Sequence, residues 1–137
     1  MERIEYLTTE ECLQLLATAS VGRIAVTRDA LPVILPVNFA VDGTSLVIRT
    51  NDGAILKAAR AGGAVVAFEV DSLDEEAMTG WSVLVTGTLR EISAVSAVLR
   101  AEQLPLAPWA GGVRRHFVRI TPGLMSGRRL LAEAAAS

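Results

Sequence analysis

The residue types that do chemistry are scarce in this chain, and the scarcity excludes several reactions. His116 is the one histidine and Cys12 the one cysteine. An ordinary zinc site draws on those two types, so here it would need several carboxylates instead. The acidic run of Asp71, Asp74, Glu75 and Glu76 lacks the glycine and the ligand spacing of a calcium loop. Gly80-Trp81-Ser82-Val83-Leu84 lacks the second glycine of a nucleophile elbow. Neither a Gly-x-Gly-x-x-Gly fingerprint nor a Walker lysine motif occurs. Most hydrolase, kinase and nicotinamide-binding chemistry is thereby set aside. His116 lies in a strand-like run and reads as a hydrogen-bonded structural histidine. No side chain stands out as a general acid or base, so the catalytic residues stay unassigned.

Anion binding is what remains. Lys57 is the only lysine among 13 basic residues, so nearly all positive charge is arginine, permanently charged and able to fork onto phosphate or carboxylate. Between Gln103 and Ala132 stand Arg114, Arg115, Arg119, Arg128 and Arg129, with no acidic residue among them. They form either a solvated basic edge or a pocket for a phosphorylated or carboxylated ligand, and spacing alone leaves both readings open. Arg49-Thr50-Asn51-Asp52-Gly53 leads from a strand into a helix start, where free N–H groups favour an anion. The net charge of −2 gives no general reason to bind nucleic acid.

The elements that must position these residues follow from periodicity and punctuation. Thr8 and Glu11 form a capping box for a helix over 8–20, with Leu7 placed to staple onto Cys12. Strands are expected at Arg23–Thr27, then at Leu31–Val41, Leu46–Thr50, Ala64–Val70, Trp81–Ile92 and Arg115–Thr121. Pro32 and Pro36 interrupt the second of these, so it must have an edge, a bulge or a ligand where their N–H groups are missing. Asp42-Gly43 marks a hairpin turn. A short helix is expected over Ala54–Ala61, stopped by Gly62-Gly63, and another from a Ser93 cap to about Glu102. Asp71–Glu76 reads as an acidic loop, Leu104–Gly112 as a Pro/Gly/Trp loop, and the tail from about residue 131 as frayed. Strands that do not alternate with long helices argue for a mainly β, α+β fold: an antiparallel barrel with helices filling its ends.

The 137 residues fit a single domain, 1–137. Half the chain is hydrophobic (51%) but only 4% is aromatic, so the core is aliphatic, and the apolar surplus predicts a dimer interface. One cysteine excludes an internal disulfide, nothing at the N-terminus looks like a signal peptide, and no apolar run approaches the ~20 residues of a membrane span. A cytoplasmic protein with no membrane partner is expected.

Several segments together resemble the pyridoxamine 5′-phosphate oxidase-like flavin-binding proteins, and most of all the small members of that family. In the first half they are Gly22-Arg23-Ile24-Ala25-Val26, Pro36-Val37-Asn38-Phe39, Asp42-Gly43, Ile48-Arg49-Thr50 and Gly53. In the second they are Val66–Asp71, Gly80-Trp81-Ser82-Val83, Val85-Thr86-Gly87, Pro108-Trp109, Val118-Arg119-Ile120 and Gly127-Arg128-Arg129. The resemblance runs in order over about residues 8–130.

It implies a six-stranded antiparallel split β-barrel of the FMN-binding type, a homodimer, and FMN sites at the dimer interface. Carried over by motif, Val37 and Asn38 line the isoalloxazine, while Arg49 and Thr50 meet the ribityl chain and phosphate. Trp81 and Ser82 come from the partner subunit, and Trp109 and Arg119 close the site. The family usually carries a phosphate-binding lysine two residues after Gly53, where this chain has Ile55. Lys57 is the nearest cation, yet it stands about 200° further round a helix. The function implied is a flavin-dependent oxidoreductase acting on a small molecule. The alternatives are a non-catalytic flavin carrier or sensor, a deazaflavin-dependent reductase, and a cofactor-free dimer. Oxidation of pyridoxamine phosphate itself calls for a longer C-terminal region than this chain has.

Overall fold

Alternating buried and exposed residues put most of the chain into strands, and short polar turns fold those strands back on one another. The computed structural model describes residues 3–106 and 116–132. The elements run β1 (Ile4–Leu7), α1 (Thr9–Leu16), β2 (Val21–Arg28), β3 (Leu31–Asp42), β4 (Ser45–Thr50), α2 (Ala54–Arg60), β5 (Ala64–Asp74), β6 (Thr79–Ile92), α3 (Val95–Ala101) and β7 (His116–Leu130). The sheet order is β1-β7-β4-β3-β2-β5-β6, and β6 also pairs with β7. Every pairing is antiparallel, so β7-β4-β3-β2-β5-β6 closes into a ring with β1 added outside β7. This is the expected split barrel.

The inward residues fill the ring with aliphatic side chains, among them Ile24, Val26, Leu46, Ile48, Val83, Val85, Leu89 and Ile120. Phe39 and Phe68 meet edge to face at their centre, with centroids 5.0 Å apart. Helix α1 adds Cys12 and Leu16 to this core, and α2 adds Ile55, Leu56 and Ala59. The capping box forms as read: Thr8 N donates to Glu11 Oε1 (3.0 Å) and Glu11 N to Thr8 Oγ1 (3.2 Å). A second, smaller core lies outside the ring, where Ala40, Val47 and Phe117 are covered by Ala101 of α3 and by Leu106.

The prolines mark an edge. Phe39 N donates to Ser20 O, so odd-numbered β3 amides point toward β2 and even-numbered positions face the other way. On that side β4 pairs only with Phe39–Asp42. Pro32 and Pro36 therefore sit where no ladder bond is asked of them, and β3 and β4 part below Phe39. The β2–β3 turn is the two residues Asp29 and Ala30, both at positive φ (50° and 64°), and Gly43 (64°) opens the β3–β4 turn.

Five expectations change. Helix α1 stops at Leu16, with Ala17 as its C-cap, short of the expected residue 20. The acidic stretch is not a loop as far as Asp74, because Asp71–Asp74 pair with Thr79–Ser82 as the end of β5. Its aspartates alternate across a paired strand, and only the turn beyond them carries the remaining acids. Ala94, not Ser93, stands at the N-cap of α3, without a side-chain cap bond. Strand β7 continues through Leu130, nine residues past Thr121, with a bulge where Gly87 faces Pro122 and Thr86 faces Leu124. Finally, β1 is a strand no periodicity announced; it is held by β7.

Candidate functional site

The split between β3 and β4 is bordered by the open edge of β3, from Pro32 to Asn38, and by the joint from β4 into α2. Most of the candidate residues stand along these borders. Val37 packs against the main core. Asn38 is half-buried, and its Nδ2 donates to Ser20 O at 3.4 Å. Arg49 and Thr50 end β4 on opposite faces, as alternation requires. The Arg49 guanidinium lies 5.2 Å from the Phe117 ring centroid, a cation–π contact on the outer side. The Thr50 hydroxyl donates to Asn51 O at 3.2 Å, and Thr50 pairs with His116 across the β4–β7 ladder.

Beyond the joint lies a cavity of about 330 Å³, lined by Arg28, Asp52, Gly53, Ala54, Leu56, Lys57 and Arg60. Arg60 is engaged with Glu91 by two hydrogen bonds (2.9 and 3.2 Å). Among the described residues, Arg28 and Lys57 have no ion pair, so two cations face this cavity unopposed except by Asp52. Ile55 points the other way, 6% exposed within the main core. The 200° argument therefore holds in space: Ile55 serves packing, while Lys57 reaches a cavity shared with Arg28, a residue the resemblance did not single out.

His116 stands beside this joint. Its Nδ1 lies 3.4 Å from Glu91 Oε2 and its Nε2 3.9 Å from Asp52 Oδ1. Glu91 is held below the usual carboxylate range by the Arg60 hydrogen bonds, so it stays an anion between Arg60 and His116.

The remaining candidates fall elsewhere. Arg119 reaches Asp42 (2.9 Å) and the Ser45 hydroxyl, and Arg100 reaches the same carboxylate at 2.8 Å. Those two hydrogen bonds hold Asp42 below its ordinary range. Trp109 lies outside the described residues. Trp81 and Ser82 belong to β6, on the far side of β2 and β5 from the split; Trp81 packs against the main core and Ser82 faces outward. Within one chain they do not join the other candidates.

Near Ser82 stands a group that reading the sequence for catalytic residues missed. Glu69 and Asp71 are two apart on β5 and so share its outer face. Arg23 of β2 bridges them, 3.5 Å from Glu69 and 3.6 Å from Asp71. Burial, and then the Asp71 carboxyl beside it, push Glu69 up to about 7 against the pull of Arg23. The signal was available: Glu-x-Asp within a strand always places two carboxyls on one face. A roomier cavity of about 740 Å³, between β1 and the β5–β6 turn, contains none of the candidate residues. No group of three or more potential metal ligands occurs among the described residues.

Comparison with known proteins agrees with this architecture. The chain is 38% identical over 132 residues to an uncharacterized protein of Mycobacterium tuberculosis, covering 93% of this chain and 86% of that one. It is similar to the solved structure of an FAD-binding protein from Mycobacterium smegmatis, with 35% identity, a TM-score of 0.75, and 91% and 98% of the two chains covered. An FAD-binding protein from Mesorhizobium loti, at 24% identity, shares the fold (TM-score 0.78; 93% and 99% covered). The family model for pyridoxamine 5′-phosphate oxidase matches residues 8–129, and with the ring of strands and its split this shows that the chain belongs to the pyridoxamine 5′-phosphate oxidase family.

Proposed function

We propose that the protein binds a flavin, FMN, along the β3–β4 split and uses it as a cytoplasmic oxidoreductase on a small molecule. The observation that carries this reading is the cavity at the β4–α2 joint. Arg28 and Lys57 stand there without ion pairs among the described residues, at the end of a strand edge that has backbone groups to offer a planar ring. These residues fit the group: the two cations suit a phosphate, and the Val37–Asn38 edge suits an isoalloxazine that needs an apolar wall and a few backbone partners. The bound flavin would supply the redox chemistry. The chain would anchor the phosphate through Lys57 and Arg28, set the ring against β3, and shield it from water. The FAD-binding relative of M. smegmatis supports a flavin of some kind.

The partner is a second copy of the chain. Ile34, Ala25, Ala67, Thr86 and Leu124 form one cross-strand row on the outer face of β3, β2, β5, β6 and β7. Ile34 is 67% exposed and Leu124 74%, with Val65 (70%) and Leu84 (47%) beside them. Helix α3 packs over the β4 side of the outer surface, and among the described residues no helix packs on this face. Packing two such faces together would bring the partner's Trp81 and Ser82 toward the flavin.

Flavin fluorescence titrated with purified protein tests the reading, with FMN, FAD and a deazaflavin in parallel. Saturable binding that Lys57→Gln weakens by about ten- to a hundredfold is expected, the loss of one charge-assisted phosphate contact. No binding of any flavin would sink it. The buried Ile55 favours one second reading, a flavin carrier or sensor without turnover, because the usual lysine is missing. Reduction of bound flavin by a nicotinamide, followed by reoxidation with a substrate, would decide against the carrier.

A further inference from the structure

His116 stands behind the cavity at the β4–α2 joint, with Glu91 of β6 on one side of its ring and Asp52 on the other. Among the described residues that line this cavity Asp52 is the one acid, beside Arg28, Lys57 and Arg60. We propose that His116 is a positioning residue for anion binding there: charged, it draws Asp52 back from Arg28 and Lys57, and neutral, it turns Asp52 toward them in competition with the anion. The cavity then takes a phosphate group more tightly when His116 is charged. The inference deepens the flavin reading and rests on it only for the identity of the anion.

The two ring nitrogens decide the sign. Glu91 Oε2 lies 3.4 Å from Nδ1 and also accepts from Arg60 Nη2 at 3.2 Å. The Arg60 hydrogen bonds hold Glu91 below the usual carboxylate range, so Nδ1 faces an anion whether or not the ring is charged. Such a neighbour keeps the proton of a neutral imidazole on Nδ1. Nε2 then carries a lone pair, and it lies 3.9 Å from Asp52 Oδ1. Protonation replaces that lone pair with a donor and a positive charge, and the contact with Asp52 changes from repulsion to attraction.

Asp52 can answer that change, because its side chain is 92% exposed and nothing packs it in place. The other groups around the ring are Thr50, opposite on β4, and Arg60 of α2, which reaches it through Glu91. Arg28 of β2 and Lys57 of α2 stand across the cavity. A carboxylate turned toward those two cations is the nearest competitor of an incoming phosphate, which needs the same donors. Histidine is the side chain that changes charge within the physiological range, so the competition answers to pH.

The test is titration of the full-length protein with FMN, read by flavin fluorescence at about pH 6 and about pH 8, with phosphate-free riboflavin as the control. A phosphate monoester gains its second charge near pH 6, roughly, so each variant is compared with wild type at a single pH. His116→Gln should weaken FMN about fivefold at the lower pH and leave the affinity at the higher pH unchanged. In an Asp52→Asn background the same substitution should cost nothing, and riboflavin should bind all the variants alike. An equal loss at both pH values, an equal loss in Asp52→Asn, or a matching loss for riboflavin would mean a structural role alone and overturn the proposal. His116 is the only histidine, so in flavin-free protein without a histidine tag its Cε1 proton can be followed alone by NMR. Coupling is reciprocal, so inorganic phosphate should move its titration to higher pH, and Asp52→Asn should diminish the movement. A titration that phosphate leaves unmoved would overturn the proposal by itself. If FMN fails to bind while phosphate moves the titration, the flavin reading falls and this one stands.

Discussion

Asp42 and Glu69 are both surface-strand carboxyls, and their neighbours send them in opposite directions. Asp42, with only 10% of its side chain exposed, accepts from Arg100 and Arg119, so its charge is part of the seam that ties α3 and β7 to the β3–β4 turn. Asp42→Asn should cost about 1.5–3 kcal/mol in urea denaturation, the range for hydrogen bonds to a charged group, and leave flavin affinity unchanged. Because its folded pKa lies below the ordinary 3.8, its contribution is complete above that value and disappears as pH falls through the folded one. Glu69 works the other way. Its folded carboxyl is raised from 4.5 to about 7, so folding favours the protonated form and stability declines as pH rises through that window. Glu69→Gln should remove this decline, measured as melting temperature from about pH 5 to about pH 8; a parallel decline in the variant would refute the assignment. Residue types alone marked Arg119 as a ligand-binding candidate and passed over Arg28, because charge is visible in a sequence and the partner that engages it is not.

Elements were legible wherever a local rule decides the outcome. The Thr8–Glu11 box, the Asp42-Gly43 turn and the proline-bearing edge of β3 each rest on a few neighbouring residues, and each stands in the structure as read. What escaped was decided at a distance. Strand β1 has two exposed residues among four and exists because Ile4–Leu7 find Leu130–Gly127. The second half of β7 contains Pro122, Gly123 and Gly127, which read locally as the end of a strand, but β6 holds it to Leu130 across a bulge. Gly87 shows the tightness of that bulge: a Cβ there would run into the Thr121 carbonyl oxygen, which is backbone and cannot swing aside. Gly87→Ala should therefore destabilise the fold by about 1–3 kcal/mol, the usual cost of overpacking, read as a lower denaturation midpoint. No loss at all would mean that the two strands are less closely apposed than the register requires.

At the scale of the whole molecule, the described residues cover one side of the barrel's outer surface and leave apolar side chains exposed on another. Over the β4 side, α3 lays Ala101 across Val47 and Phe117. Over the β5 side, the row from Ile34 to Leu124 has the same outward geometry, and among the described residues no helix meets it. The surplus of apolar residues in so short a chain led us to propose a second copy, but composition could not say which face it would use; the register shows where the exposed apolar side chains line up. A two-fold contact is self-complementary, so the mixed row next to it, with Arg23 bonded to Glu69 between Pro36 and Leu84, can face its own copy reversed without opposing like charges. Leu124→Arg puts two guanidinium groups into such an interface for one substitution. It should turn a dimer into a monomer in sedimentation equilibrium while leaving the monomer folded, because Leu124 makes no contribution to either core. If flavin sites are shared between copies, the same variant should lose flavin affinity in step with dissociation. A monomeric wild-type protein, or a variant that stays dimeric, would move the interface off this face and detach Trp81 and Ser82 from the flavin.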